Sequence, residues 1–361
     1  MVGASAWTAV PGQDRVVVAM SGGVDSSVAA ALLVEQGYDV IGVMMRLWSE
    51  RENRCCTPQA VDDARRVADQ LGIPFYLVNY EAEFRACVVA YFVAEYSLGR
   101  TPNPCLACNR HIRFGHLLRH AQALGASYLA TGHYAHVEQT GSSCRLRMAT
   151  DRRKDQSYVL YSLGQAELRR TLFPLGPYTK HLVRDLARRI GLPVADREES
   201  MELCFISGGD YRRFLRERAP RALHPGPILD TAGKEIGWHQ GLAAYTVGQR
   251  RGLRIAAPDP LYVIRMDLEH NAVIVGPAQE LGRRTLIASD VCYVKSDLPP
   301  GPVRVQAKIR YKASLADATW TPLDHSQARV EFDIHLRDIT PGQAVVAYQG
   351  DVVLGGGIID G

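Results

Sequence analysis

The chain has 361 residues, of which 47% are hydrophobic and 22% charged, and its net charge is +4 at pH 7. That length exceeds one average domain, and the composition is that of a soluble globular protein. So small a net charge does not by itself indicate nucleic-acid binding, no apolar run is long enough to span a bilayer, and residues 1–15 lack a basic stretch followed by an apolar core. The expected location is the cytoplasm, with no membrane partner.

Val16-Val17-Val18-Ala19-Met20 reads as a buried strand, Ser21-Gly22-Gly23-Val24-Asp25-Ser26-Ser27 as a glycine-rich turn, and residues 27–36 as a helix ended by Gly37. The glycines let the backbone turn sharply and let a ligand approach the amides. The helix start carries unpaired N–H groups and partial positive charge, so an anion fits there. Asp25 stands out, because a carboxylate repels phosphate. A magnesium ion bridging the two accounts for it. The string is not the Walker loop, since no lysine follows the glycines, and it is not G-x-G-x-x-G.

Further along, residues 39–47 and 75–78 read as strands and residues 61–71 as a helix stopped by Gly72 and Pro74. Helices follow at 83–96 and 114–124, then a strand at 128–130. This alternation predicts a mostly parallel sheet with helices on both faces and ligands beyond the C-terminal strand ends. The glycine turn lies at one such end and Ala130-Thr131-Gly132-His133-Tyr134 at another. Basic helices are expected at 182–190 and 210–218. Strands at 262–266, 272–275, 291–294, 303–311, 328–334, 343–348 and 352–359, separated by Pro, Gly and Asp, predict a small all-β module, barrel or sandwich.

Eight cysteines in such a chain do not suggest a disulfide scaffold. In a reducing compartment, clustered cysteines are more often catalytic or metal-binding. Thr101-Pro102-Asn103-Pro104-Cys105-Leu106-Ala107-Cys108-Asn109 begins with two prolines, so Cys105 lies on or beside a loop. C-x-x-C reads as a redox pair, half of a metal site, or the seat of an activated thiolate, and no second C-x-x-C exists. Taken alone, Cys204 beside Phe205 and Ile206 reads as a core residue. In company with a loop thiol and the glycine turn, which resembles the loop of the AMP-transferring PP-loop ATP pyrophosphatases, it fits sulfur transfer. One cysteine would carry a persulfide sulfur, and the other would assist its release and end in a disulfide with the first. Adenylating a carbonyl oxygen turns a poor leaving group into AMP. Cys55 and Cys56 have no assigned role, and Cys87, Cys144 and Cys292 read as small buried residues.

Residues 21–27 resemble the signature of the PP-loop ATP pyrophosphatases, which transfer AMP to an oxygen. With Gly42-Val43-Met44-Met45 and Trp48, residues 101–109 and 130–134, Lys154-Asp155-Gln156-Ser157-Tyr158, Phe173-Pro174-Leu175-Gly176, Cys204-Phe205-Ile206 and Tyr245-Thr246-Val247-Gly248-Gln249-Arg250, the chain resembles the bacterial tRNA-specific 2-thiouridylases. The resemblance implies an α/β PP-loop domain with a parallel sheet over 1–207, with part of the central domain inserted near 170–192. A small central domain would follow over 208–277 and a C-terminal β-barrel over 278–361. It implies ATP-dependent 2-thiolation of the wobble uridine in tRNAs for Lys, Glu and Gln, by adenylation of uridine O2 and sulfur transfer from a cysteine persulfide.

By the same resemblance, Ala19, Met20, Ser21, Gly22, Gly23, Val24, Asp25 and Ser26, with Met45 and Gly132, would bind ATP. Cys108 would be the nucleophile. Cys204 would carry the persulfide and pair transiently with Cys108. Asn103, Pro104 and Cys105 would lie at the target base. His133, Lys154, Asp155, Gln156, Arg310, Tyr311 and Gln343 would touch tRNA. The implied cofactors are ATP and Mg2+. The implied partners are a tRNA anticodon loop and a sulfur-relay or cysteine desulfurase donor. Many members carry Asp at the position of Cys105, an Asp proposed as acid/base, so that role is in doubt here. A thiol there raises a second arrangement, an iron–sulfur cluster on Cys105, Cys108 and Cys204.

Three basic clusters support an RNA partner independently: Arg145, Arg147, Arg152, Arg153 and Lys154 against Asp151; Arg212, Arg213, Arg216, Arg218 and Arg221 against Glu217; and Arg250, Arg251 and Arg254. A base to be thiolated must leave its stack, which a single-stranded loop makes cheap. Two other readings compete. One is a PP-loop ligase that adds nitrogen to an adenylated small molecule. The other is an RNA-binding protein with a degenerate ATP site.

Overall fold

The computed structural model describes residues 14–50, 57–197, 203–295 and 297–360. Cys55, Cys56 and residues 200–202 lie outside them.

The first domain is built on a five-stranded parallel sheet in the order Phe75–Asn79, Asp39–Arg46, Arg15–Met20, Tyr128–Thr131, Thr171–Leu172. Arg15–Met20 is apolar on both faces because both faces are covered. Val16, Val18 and Met20 pack with Val24 and Val28 of the helix Val24–Glu35, Ala64 of Pro58–Leu71, and Val183 and Ala187 of Lys180–Arg189. Val17 and Ala19 face the opposite core, with Phe84, Val88, Phe92, Ile112 and Leu117.

The segment near 170–192 packs on this sheet. Thr171–Leu172 pairs with the sheet, and Lys180–Arg189 buries its apolar face on the core beside Val24–Glu35. The basic composition of that helix concealed its buried stripe. The helix expected over 114–124 begins ten residues earlier. Pro104 takes its first position, where a missing N–H costs nothing, and Asn103 caps it by accepting from Cys105 N at 3.1 Å. The backbone then widens into a π-helical stretch, Cys108–Leu117, before returning to α over Leu118–Ala123.

The central domain holds a four-stranded sheet in the order Tyr262–Asp267, Ala272–Gly276, Gly226–Asp230, Glu235–His239. The C-terminal module is a barrel and not a sandwich. Its six strands run Arg283–Tyr293, Ala328–Leu336, Ala316–Pro322, Val303–Lys308, Ala344–Gln349, Val352–Ile359, and the first closes on the last. Trp320, Phe332, Val330 and Val345 fill it. A hairpin of the first domain, Ala135–Thr140 with Ser143–Met148, extends the barrel sheet through Arg147 and Val352. Its alternation was obscured by its arginines. No helix among the described residues is long and apolar enough to cross a membrane.

Candidate active site

The parallel register sets the stage. Ala19 stands level with Val43 on one side and Thr131 on the other, and Met20 with Met44. Met20, Met45 and Gly132 therefore gather at the C-terminal ends of three adjacent strands, around the turn of residues 21–27. Gly22 is left-handed, φ 69°, and a Cβ there would collide with the Ala60 carbonyl oxygen. A Cβ on Gly132 would sit 2.7 Å from Ser26 N. Both glycines are thus required for close approach. Ser26 Oγ accepts from Ser21 N at 3.1 Å, and the Ser27 hydroxyl donates to Gly23 O at 2.9 Å. The serines shape the loop. Gly23, the N-cap of Val24–Glu35, offers no side-chain bond, so the helix start remains a seat for an anion.

Asp25 has an explanation within the chain. Lys180 Nζ lies 2.7 Å from each of its carboxylate oxygens, and the Tyr134 hydroxyl donates to it at 2.8 Å. The magnesium bridge invoked from sequence is not needed to account for this carboxylate. Lys180 was missed, although a signal existed: a cation in the first turn of a helix opposes the helix dipole, so it needs another reason to be there. Arg197 was missed too. Its Nη1 donates to Gly22 O at 2.7 Å and meets Asp63 Oδ2 at 2.6 Å, tying the loop to Pro58–Leu71 and to the segment that leads to Cys204.

Cys105 is exposed in the first helical turn, and Cys108 is buried one turn on. The neighbouring Asn109 is fully buried. It donates to Val159 O at 2.9 Å and accepts from Arg113 at 2.7 Å, which fixes the turn bearing Cys108. Phe205 packs edge-on against Phe84, Phe92 and Phe214 and anchors its neighbour. Cys204 is half-buried and packs against the large apolar core to which Cys108 belongs. Among the described residues, no three His, Cys, Asp or Glu side chains are gathered as metal ligands would be.

Several residues expected at tRNA are engaged inside the protein. His133 is 9% exposed, 2.7 Å from Thr131 Oγ1, between Phe114 and Phe173. Burial first, then the Arg113 charge, pushes its pKa down to about 3, so it is neutral. Asp155 is buried and accepts from Ala149 N and the Ser157 hydroxyl. Gln156 accepts from Tyr134 N at 2.9 Å, and Gln343 donates to Thr101 O at 2.7 Å. Arg310 pairs with Asp338 at 2.5 Å, Tyr311 lies beside Tyr158, and Lys154 is partly exposed. Folding also adds acids to the basic clusters. Glu138 and Asp351 face Arg147, and Glu50 faces Arg213, so local sequence overstated the charge there. Arg250, Arg251 and Arg254 are exposed.

Family models match the chain as a tRNA methyl transferase HUP domain over residues 14–208, a tRNA methyl transferase PRC-barrel domain over 212–277 and an aminomethyltransferase beta-barrel domain over 283–359. The tRNA-specific 2-thiouridylase MnmA of Moorella thermoacetica is 53% identical over 95% of this chain and 99% of its own length. The chain belongs to the tRNA-specific 2-thiouridylase family. The thiouridylases of Pelotomaculum thermopropionicum and Roseiflexus castenholzii are 51% and 50% identical, each over 96% of this chain and 97% and 99% of theirs. Among solved structures, the U34-tRNA thiolase NcsA of Methanococcus maripaludis is similar at 20% identity over 58% of this chain and 66% of that chain, with a TM-score of 0.36.

Proposed function

We propose that this chain is an ATP-dependent tRNA-uridine 2-sulfurtransferase that thiolates the wobble base through a persulfide on Cys204. What supports this reading is the glycine loop at the C-terminal ends of the parallel strands, with Cys108 in the core of the same domain and Cys204 packed against that core. The methyl-transfer wording of the family models fits less well. A methyl transfer from a sulfonium donor needs neither an ATP loop nor two thiols.

In this reading the loop of residues 19–26, with Met45 and Gly132, holds ATP, which arrives with magnesium as counter-ion. Uridine O2 attacks the α-phosphorus, the O2–P bond forms, and pyrophosphate leaves. The terminal sulfur of the Cys204 persulfide then attacks C2, and AMP departs with the C–O electron pair. The Cys108 thiolate attacks the Cys204 sulfur. That breaks the S–S bond, releases 2-thiouridine and leaves a Cys108–Cys204 disulfide, which an external thiol must reduce before the next turnover. Asn103, Pro104 and Cys105 are the residues proposed at the base. Lys154, Arg310, Tyr311 and the exposed arginines at 250, 251 and 254 are the proposed tRNA contacts, with the anticodon loop as target. A sulfur-relay protein or cysteine desulfurase is the proposed donor to Cys204.

The test is mass spectrometry of tRNA after incubation with ATP and a persulfide donor. Wild-type protein should exchange oxygen for sulfur on one uridine. Cys108→Ser and Cys204→Ser should each abolish the exchange while ATP binding survives, and normal thiolation by both would overturn the mechanism.

A further inference from the structure

The cysteine helix is held from outside its own domain, and the grip falls on its backbone. Thr101 N donates to Pro341 O at 2.8 Å, and Thr101 O accepts from Gln343 Nε2 at 2.7 Å. Both main-chain groups of the residue two places before the Asn103 cap are therefore bonded to the barrel, just ahead of its strand Ala344–Gln349. The Thr101 hydroxyl meets the Thr246 hydroxyl of the central domain at 3.3 Å, so all three domains converge on this residue. Arg100, next to it, reaches Asp360 Oδ1 at 3.2 Å and Ile359 O at 3.3 Å at the end of the last barrel strand. Beyond the cysteines, Arg110 pairs with Asp290 of the barrel strand Arg283–Tyr293. Beneath them, the Tyr158 hydroxyl donates to Ala344 O at 2.8 Å, while the next residue, Val159, accepts from Asn109 beside Cys108.

Ordinary domain packing would join side chains across an apolar seam. Here two of the contact points carry left-handed backbone. Gly342 has φ 89°, and a Cβ there would lie 2.9 Å from Thr101 N. Asp290 has φ 47°, unusual for a residue with a side chain, at an irregularity in the pairing of its strand. At Asp290 such a conformation persists only where the surroundings over-determine it, and at Gly342 the close approach to Thr101 N leaves no room for a side chain. Among the described contacts, these are the ones that clasp the cysteine helix on both sides of Cys105 and Cys108.

We propose that the C-terminal barrel sets the pose of the cysteine helix, with Gln343 as a positioning residue that acts through Thr101 and Asp290 as a second one that acts through Arg110. This rests on the reading of Cys108 as the thiol that ends in the disulfide. It assigns Gln343 a role other than contact with tRNA. A helix start displaced by about 1 Å would cost on the order of 100-fold in the chemical step and leave tRNA affinity alone.

The test compares full-length wild type, Gln343→Met, Asp290→Asn and Cys108→Ser. It measures tRNA binding by filter retention, single-turnover thiolation, and pyrophosphate release. Gln343→Met keeps the length of the side chain and removes its donor. Its thiolation rate constant should fall by about 10- to 100-fold with tRNA affinity within about twofold of wild type. Asp290→Asn tolerates the left-handed conformation and should lose less, because its ion pair is half exposed. A weaker tRNA affinity with an unchanged rate constant in Gln343→Met would make Gln343 a tRNA contact and overturn the proposal. An unchanged rate constant and affinity would overturn it as well. Thiolation by Cys108→Ser would instead bring down the disulfide reading, whatever Gln343→Met does.

Discussion

Lys180 Nζ bridges both carboxylate oxygens of Asp25, at 2.7 Å each, across the mouth of the glycine loop. The lysine is nearly buried and the aspartate about one-third exposed, and the Tyr134 hydroxyl completes the arrangement. The pair lets an anion site tolerate a carboxylate in the first turn of its helix.

Removing the lysine should therefore expose the phosphate site to an uncompensated negative charge. Lys180→Met is expected to raise the KM for ATP by about tenfold or more, with tRNA affinity unchanged. The check is pyrophosphate release against ATP concentration in the presence of tRNA. Breaking a buried pair from one side costs roughly 3–5 kcal/mol, and the exposure of Asp25 puts this one well below that range.

Two glycines with the same backbone conformation should behave differently. Gly22 and Gly72 have φ of 69° and 66°, but a Cβ on Gly22 meets the Ala60 carbonyl and one on Gly72 meets nothing within 4 Å. Gly72→Ala should cost about 1 kcal/mol in urea unfolding and keep full pyrophosphate release. Gly22→Ala should abolish pyrophosphate release, because Ala60 or the loop must shift.

His133 predicts an acid-dependent loss of stability. Its pKa is lowered to about 3 in the fold, so protons bind the unfolded chain more readily. The neutral buried form contributes fully above the unfolded pKa of about 6.5, and the contribution is lost as pH falls from there toward 3. At pH 5 the loss is about 2 kcal/mol. Urea unfolding of wild type and His133→Asn at pH 7 and pH 5 should show the gap between them narrowing by that amount. A gap independent of pH would contradict the buried, neutral assignment.

Phe205 predicts a split between the two chemical stages. It is held by three other phenylalanines and carries Cys204 as its neighbour. Phe205→Leu should slow thiolation several-fold or more, in the spirit of misplacement costs near 100-fold per ångström, while pyrophosphate release stays near wild type. Quench-flow measurement of both products on one sample separates them.

What the sequence made legible was local. The strand, turn and helix of residues 15–35 follow one another without a break, so the anion seat could be read directly from the order of apolar residues and glycines. The cysteine strings were legible as chemistry, and the pairing of their roles depended on family likeness. Lys180 and Arg197 were not legible, because their meaning lies in contacts 155 and 175 residues away in the chain. The same holds for Gln343, whose partner Thr101 lies 242 residues away. The barrel's closure also rests on one long-range pairing, Arg283–Tyr293 with Val352–Ile359, that no local pattern announces.

The central claim is that Cys108 and Cys204 act on one sulfur. The most direct measurement is a single turnover of protein loaded with persulfide on Cys204, given ATP and tRNA, stopped in acid and mapped by non-reducing peptide mass spectrometry. A Cys108–Cys204 disulfide should appear in step with 2-thiouridine, one for one. Thiouridine formed while both thiols remain reduced would contradict the account.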